Sequence, residues 1–434
     1  MMRTIDLRGS SLGPAELRSA LPRPELDVTV AAKAAAELIH DVREHGSAAL
    51  RAQAERLDGG APERLRASAD DLREALEGLD PAVRAALEEM IERVRRGAAA
   101  QVPPSISTSL GAGATIVQRW QPVGRVGLYV PGGKAVYPSS VVMNVVSAQV
   151  AGVPSIAIAS PPQRAFGGAV HPTILGAAAL LGVDEVYAMG GAGAVGALAY
   201  GVEDAGIEPV DVITGPGNVY VAAAKRLVQS VVGIDAEAGP TEILVIADAS
   251  AKPELVAADL VSQAEHDELA GAVLVTDSPE LAERVTEAVA RRRASTKHGD
   301  RVEVALDGRQ SAIVLVDDLA AAARVSNAYG PEHLEIQTAD NAGVLADIAN
   351  AGAIFVGDHS PVSLGDYLAG SNHVLPTGGQ AIHSSGLGAH TFLRAQQIIE
   401  YDRAALETVR EHIAAISTAE DLPAHGEAVQ ARFA

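Results

Sequence analysis

The chain has 434 residues, 48% apolar and 21% charged, with a formal charge of −21. That length implies two to three domains with cores that need no cross-links, and the apolar content excludes a disordered chain. The negative charge repels phosphate backbones and anionic lipid, which excludes nucleic-acid binding as the main function. With no cysteine, disulfides, thiolate metal sites, iron–sulfur clusters and cysteine nucleophiles are excluded too. No apolar run reaches the roughly 18 residues of a membrane span, and the first 22 residues lack a signal-peptide core. The expectation is a cytoplasmic protein with no membrane contact.

In chain order, residues 29–45, 47–57 and 81–97 place apolar types at three-to-four spacing between Arg and Glu, the pattern of helices with one buried face. Residues 101–121, rich in Pro, Ser, Thr and Gly, read as a loop or a short hairpin. From Arg125 short β-branched runs alternate with alanine-rich stretches. Strands are expected at 126–130, 156–159, 185–189 and 210–214, and helices at 139–150, 172–181, 194–202 and 219–231. Four strand–helix units in a row imply a parallel sheet, because parallel neighbours need a crossover. The texture then repeats, with strands at 243–247, 272–276, 302–305, 312–316, 334–336 and 354–356 and helices at 253–265, 279–292, 319–327 and 342–351. The fold class is therefore α/β, with two similar doubly wound layers. Residues 379–434 return to helix and are too few for a domain, so they pack on the body or on another subunit.

Several motifs sit where such layers bind ligands. Tyr129-Val-Pro-Gly-Gly-Lys134 ends the first strand and suits a cofactor edge or a tight turn. Gly191-Ala-Gly193-Ala-Val-Gly196 fits G-x-G-x-x-G between strand and helix, with Asp211 twenty residues on as a ribose-binding acid. Thr214-Gly-Pro-Gly-Asn218 offers backbone N–H groups for an anion, with Asn218 as cofactor contact or plain helix cap. Gln263 and His266 are three residues apart on one helical face and suit an ion with mixed O and N ligands. Glu332-His333 sets a carboxylate beside an imidazole, a general-base and water-activating pair or two exposed side chains. Asp366 is a hard ligand, and His373 a substrate or supporting contact; His383 and His390 lie nearby, and Glu420 and His425 flank Pro423 near the end.

Together these segments resemble the histidinol dehydrogenases, the zinc- and NAD-dependent family that completes histidine biosynthesis. The match lies in Gly127-Leu-Tyr-Val-Pro-Gly-Gly-Lys134, Gly215-Pro-Gly-Asn218, Ala238-Gly-Pro-Thr-Glu242, Ser262-Gln-Ala-Glu-His266, Tyr329-Gly-Pro-Glu-His333, Gly365-Asp-Tyr367 and Asn372-His-Val-Leu-Pro376, in order over nearly the whole chain. The resemblance implies two incomplete Rossmann-like domains with a helical N-terminal region and a helical C-terminal tail. Residues 1–24 form an N-terminal tail, and 25–125 with 241–378 the metal and substrate side. Residues 126–240 form the NAD side, and 379–434 a tail exchanged in a homodimer. It implies a four-electron oxidation of L-histidinol to L-histidine through an aldehyde, with two NAD and one zinc per subunit. Zinc is held by Gln263, His266, Asp366 and His425, which also face the substrate. His333 is the base for the alcohol, and Glu332 activates water for the aldehyde. Thr241, His373 and Glu420 contact the substrate, and Tyr129 and Asn218 the cofactor. Gly193 stands on the cofactor side where the family commonly has Gln, and because the family's cofactor site is not an ordinary Rossmann one, the resemblance implies that Gly191, Gly193 and Gly196 are not a dinucleotide fingerprint.

Other readings are a relative that oxidises another small alcohol such as a sulfonated diol, a zinc hydrolase, and a non-catalytic zinc-binding protein. The hydrolase lacks a His-Glu-x-x-His helix. With a histidine base, activity is expected to fall below about pH 6.5.

Overall fold

The structure, a computed structural model, describes residues 2–24, 28–132, 135–237 and 239–434. Gly133 and Lys134 of the first glycine turn, Ala238, and residues 25–27 lie outside the described residues. The chain opens with β1 (Arg3–Asp6) and α1 (Pro14–Ala20), followed by α2 (Val28–Gln53), α3 (Ala69–Glu77) and α4 (Pro81–Ala99). Within α2 the backbone leaves helical geometry at Gly46, at φ 55 and ψ −132, which separates the two helices expected there. A π-helical turn, Ala54–Asp58, follows α2 and stops at Gly59 with φ 75, in the left-handed region that glycine tolerates. α4 starts on Pro81, with Asp80 capping it by accepting from the Ala82 N–H at 2.8 Å. Of the two readings for 101–121 the hairpin holds, as β2 (Ile106–Gly111) and β3 (Ala114–Pro122).

Next come β4 (Arg125–Tyr129), α5 (Pro138–Ala151), β5 (Ser155–Ser160), α6 (Pro172–Leu180), β6 (Val186–Ala188), α7 (Gly191–Tyr200), β7 (Val212–Thr214), α8 (Val219–Val228) and β8 (Gly233–Ile234). They form a five-stranded parallel sheet in the order β6-β5-β4-β7-β8. Helices cover both faces, which is why strands such as Val126–Tyr129 carry apolar side chains without alternation. The grouping of residues 25–125 with 241–378 is not what the structure adopts. Ala35, Ile39, Val42 and Leu50 of α2 share a core with Ala194, Val195 and Leu198 of α7. Leu72, Leu87 and Met90, from α3 and α4, share another with Val126, Val142 and Ile174. The apolar stripe of α2 finds its partner in the glycine-alanine surface of α7, where small residues let two backbones approach.

The second layer comprises β9 (Glu242–Ala247), α9 (Pro253–Ala264), β10 (Gly271–Thr276), α10 (Pro279–Ser295), α11 (Gly299–Asp307), β11 (Ala312–Leu315), α12 (Leu319–Tyr329), β12 (His333–Gln337), α13 (Asn341–Ala346), β13 (Ala353–Val356) and α14 (Val362–Tyr367). Its parallel sheet has six strands in the order β1-β11-β10-β9-β12-β13. Residues 2–20 are thus no loose tail: Arg3 to Asp6 pair in register with Ala312 to Leu315, and α1 packs on α12. The strand expected at 302–305 is part of helix α11, whose buried Val302, Ala305 and Leu306 follow helical spacing.

The C-terminal segment is not wholly helical. β14 (Leu393–Tyr401) pairs antiparallel with β3 along nine residues, giving a three-stranded sheet β14-β3-β2. It is followed by α15 (Arg403–Ala419) and α16 (Pro423–Gln430), which pack chiefly on each other. This lobe leaves Ile106, Leu110, Ile399, Ile416 and Leu422 exposed. Among the described residues no helix is long and apolar enough to cross a membrane.

Candidate active site

Each parallel sheet reverses its strand order once, at β4/β7 in the first and at β9/β12 in the second. Such reversals open crevices. A cavity of about 1400 Å³ lies between the layers. From the first sheet it takes the carboxyl ends, with Tyr129, Gly190, Gly191, Gly217 and Asn218. From the second it takes the amino ends, with Thr241, Glu332 and His333. The loop after β7 is held by a buried ion pair: Lys225 Nζ donates to the Gly215 carbonyl at 3.1 Å and pairs with Asp235, and Asp235 accepts the Gly215 N–H at 2.8 Å. Gly215 has φ +117, and a Cβ there would overlap the Tyr129 carbonyl.

At the second sheet's edge, Glu332 Oε2 accepts from Thr241 Oγ1 at 2.6 Å and from the Glu242 N–H at 2.9 Å. Burial nonetheless pushes its carboxyl up to about 8, against the pull of those two donors. His333 is 4% exposed, and its Nδ1 lies 3.1 Å from the Glu242 carbonyl. That bond requires a proton on Nδ1 and leaves the lone pair on Nε2. Burial also lowers the His333 pKa, so its 3.6 Å approach to Glu332 joins a neutral ring to a carboxyl and is no ion pair.

Thr241 Oγ1 also accepts from Gln263 Nε2 at 2.7 Å. The amide is thereby oriented with its oxygen away from Thr241, and Gln263 Oε1 is buried with no hydrogen-bond partner among the described residues. Leaving such an oxygen unsatisfied costs about 1–3 kcal/mol, which a cation would offset. α9 ends at Ala264, so His266 stands just beyond the helix, its N–H bonded to the Gln263 carbonyl at 3.2 Å. His266 Nε2 lies 3.8 Å from Asp366 Oδ2. Asp366 sits on α14, where Gly365 leaves room for the Phe355 ring. Amide oxygen, imidazole and carboxylate form a donor set that fits a divalent ion such as zinc. Among the described residues no three His, Asp or Glu side chains converge, so Gln263 would be the third donor beside His266 and Asp366.

Comparison with known proteins identifies the architecture. The family model described as histidinol dehydrogenase matches residues 21–433. The histidinol dehydrogenase of Leifsonia xyli is 66% identical over 432 residues, 100% of this chain and 99% of that protein. That of Thermobifida fusca is 59% identical over 429 residues, covering 99% of this chain and 97% of that protein. The chain belongs to the histidinol dehydrogenase family. The crystal structure of histidinol dehydrogenase from Elizabethkingia anophelis superposes with a TM-score of 0.92 at 31% identity, covering 100% of this chain and 98% of that one.

Of the residues that histidinol dehydrogenase motifs single out here, Tyr129, Asn218, Thr241, His266, Glu332, His333, Asp366 and His373 line the cavity, with Gln263 buried behind Thr241. Asn218 is also the helix cap of the blander reading: its Oδ1 accepts from Tyr220 N–H at 3.0 Å and Val221 N–H at 3.2 Å, leaving its NH2 for the cavity. His373 is held at both nitrogens, Nδ1 2.9 Å from the Asp366 carbonyl and Nε2 3.1 Å from Ser140 Oγ, so it braces Asp366.

One expectation changes. Gly193 does not reach the cavity; it lies inside α7 facing α2, where a Cβ would overlap Gln53 Oε1. The G-x-G-x-x-G run, set aside as a fingerprint on the family resemblance, is engaged by contacts within the chain. The Gly191 N–H is taken by Tyr129 OH at 3.1 Å, and Asp211 binds the Gly124 and Arg125 N–H groups at 2.7 and 2.9 Å, at the sheet's opposite end. Gly193 and Gly196 serve helix packing, Gly196 lying against Ile39. Glu420 and His425, on the tail that the resemblance exchanges in a dimer, are exposed on the C-terminal lobe and do not line this chain's cavity. Residues without a motif also line it, among them Gln53, Asp58 and Ser140.

Proposed function

We propose that the chain is a cytoplasmic, zinc- and NAD-dependent dehydrogenase that oxidises L-histidinol to L-histidine through L-histidinaldehyde. The observation that carries this reading is the hydrogen-bond run Gln263 Nε2→Thr241 Oγ1→Glu332 Oε2. It ties the orphaned amide oxygen of a cation site to the carboxyl that serves the aldehyde step. Gln263, His266 and Asp366 would hold the zinc. When bound, zinc supplies a positive grip for the substrate's imidazole and amine nitrogens, and NAD supplies the hydride acceptor.

His333, neutral and with its lone pair on Nε2, takes the alcohol proton as a hydride leaves the carbinol carbon. Glu332, in its ionised form, takes a proton from the water that adds to the aldehyde, and a second hydride leaves the hydrated carbon. Alcohol, water and two NAD thus give carboxylate, two NADH and three protons. Tyr129 and the Asn218 NH2 contact the cofactor at the carboxyl ends of the first sheet. His373 keeps the Asp366 backbone in place.

A second copy of the chain completes the site in this reading, supplying His425 as a further zinc donor and Glu420 as a substrate contact. The support is that both residues stand exposed on a lobe whose helices pack chiefly on each other, while the cavity offers three donors, one fewer than a four-coordinate zinc takes. The function is tested with limiting histidinol and excess NAD. Two NADH per histidinol are expected, lost on chelation and restored by zinc. One NADH with aldehyde released, or turnover of a sulfonated diol in preference to histidinol, would overturn it.

A further inference from the structure

The π-helical turn Ala54–Asp58 ends in a carboxylate that the mechanism above does not use. Asp58 lines the cavity beside the glycine turn that opens α7: a Cβ built on Gly190 would lie 3.2 Å from Asp58 Oδ2. Among the described residues no group donates a hydrogen bond to it. Burial alone raises its carboxyl to about 6, so among the described residues no cation offsets the desolvation, and it is largely ionised at neutral pH. Of the three arginines on the cavity wall, Arg226 pairs with Glu237 at 2.9 Å and Arg23 with Glu242 at 2.9 Å, while Arg56 shares the turn with Asp58 and is not hydrogen-bonded to it. A half-buried carboxylate with vacant lone pairs at a cavity wall accepts protons from a ligand and repels a ligand's anions.

A dinucleotide presents two kinds of polar group, phosphate oxygens and ribose hydroxyls. The start of α7 is unsuited to the first kind, because Tyr129 OH takes the Gly191 N–H and Asp58 lies against Gly190. It is suited to the second. Resting on the NAD reading above, we infer that Asp58 accepts the ribose hydroxyls of the cofactor and rejects a cofactor phosphorylated at the 2′ position. The chemistry is that of the acid in ordinary dinucleotide folds. Here the carboxylate arrives from an irregular turn after an N-terminal helix, and no strand of the sheet carries it. A 2′-phosphate brings about 1.5 to 2 negative charges against this carboxylate.

The test is steady-state kinetics with NAD and with NADP at saturating histidinol, on wild type, D58N and D58E. Wild type is expected to prefer NAD. D58N should raise KM for NAD by about tenfold or more, leave KM for histidinol in place, and narrow the NAD-to-NADP preference by a similar factor. D58E keeps the charge and should go on rejecting NADP. Wild-type activity with NAD together with an unchanged preference in D58N overturns the role of Asp58 alone. So does a D58E as permissive toward NADP as D58N. Wild-type protein inert with both cofactors overturns the NAD reading and this inference together.

Discussion

At Glu332, hydrogen bonding and burial pull in opposite directions. Two donors favour the carboxylate, yet its complete burial wins and the proton is held up to about pH 8. In the unfolded chain the same carboxyl ionises near its ordinary 4.5. The folded state therefore binds more protons across that window, and its stabilising contribution, complete below 4.5, is lost as pH rises toward 8. In metal-free protein, E332Q keeps an oxygen for Thr241 and removes the ionisation. Thermal denaturation should find it more stable than wild type at pH 7, by about 1–3 kcal/mol. The gap should close toward pH 4.5, and aldehyde oxidation should be abolished. A gap that widens toward acid would refute this account of Glu332. His333 moves the other way, so the acid limb of the alcohol step lies below the 6.5 of a free imidazole. The Glu-His pair, His266, Asp366 and the glycine loop were legible because each motif is contiguous. Asp58, Gln53 and Ser140 were not, since they reach the cavity from separate helical segments and no local pattern marks them.

Between elements, the contact of α2 with α7 explains Gly193. Gln53 is 5% exposed and donates through Nε2 to the Leu38 carbonyl and to Asp41, both at 3.1 Å, while its Oε1 fills the space a side chain at 193 would need. An alanine at 193 gains helix propensity of about 1 kcal/mol but displaces a buried, doubly bonded amide. A double-mutant cycle separates the two. G193A should cost about 0.5–3 kcal/mol more in the presence of Gln53 than in Q53A. Equal costs in both backgrounds would mean that Gly193 is not there to admit Gln53. Parallel strands and their helices were readable because burial on both faces writes continuous apolar runs. The strand expected at 302–305 failed because a short Val-Glu-Val-Ala run fits helix and strand alike. β14 was missed because its partner β3 lies about 280 residues earlier, as in the pair Gln397 with Gln118, and such pairing leaves no local trace.

Over the whole molecule, two doubly wound layers present opposite ends of their sheets to one cavity. The first offers strand carboxyl ends and glycine loops, the second strand amino ends bearing Thr241, Glu332 and His333. The chain order alone signalled two layers but could not show that α2, α3 and α4 cover the first, since helix faces do not name their partner. In the proposed function a working site draws Gln263, His266 and Asp366 from one copy and His425 from another. Co-expressing H266A with H425A tests it most directly, each variant alone being expected inactive. In a two-fold dimer with shared sites, half of the randomly mixed dimers contain one intact site, so the mixture should recover about a quarter of wild-type activity. A mixture as inactive as its components, with heterodimers shown to form, or an H425A protein fully active alone, would contradict it.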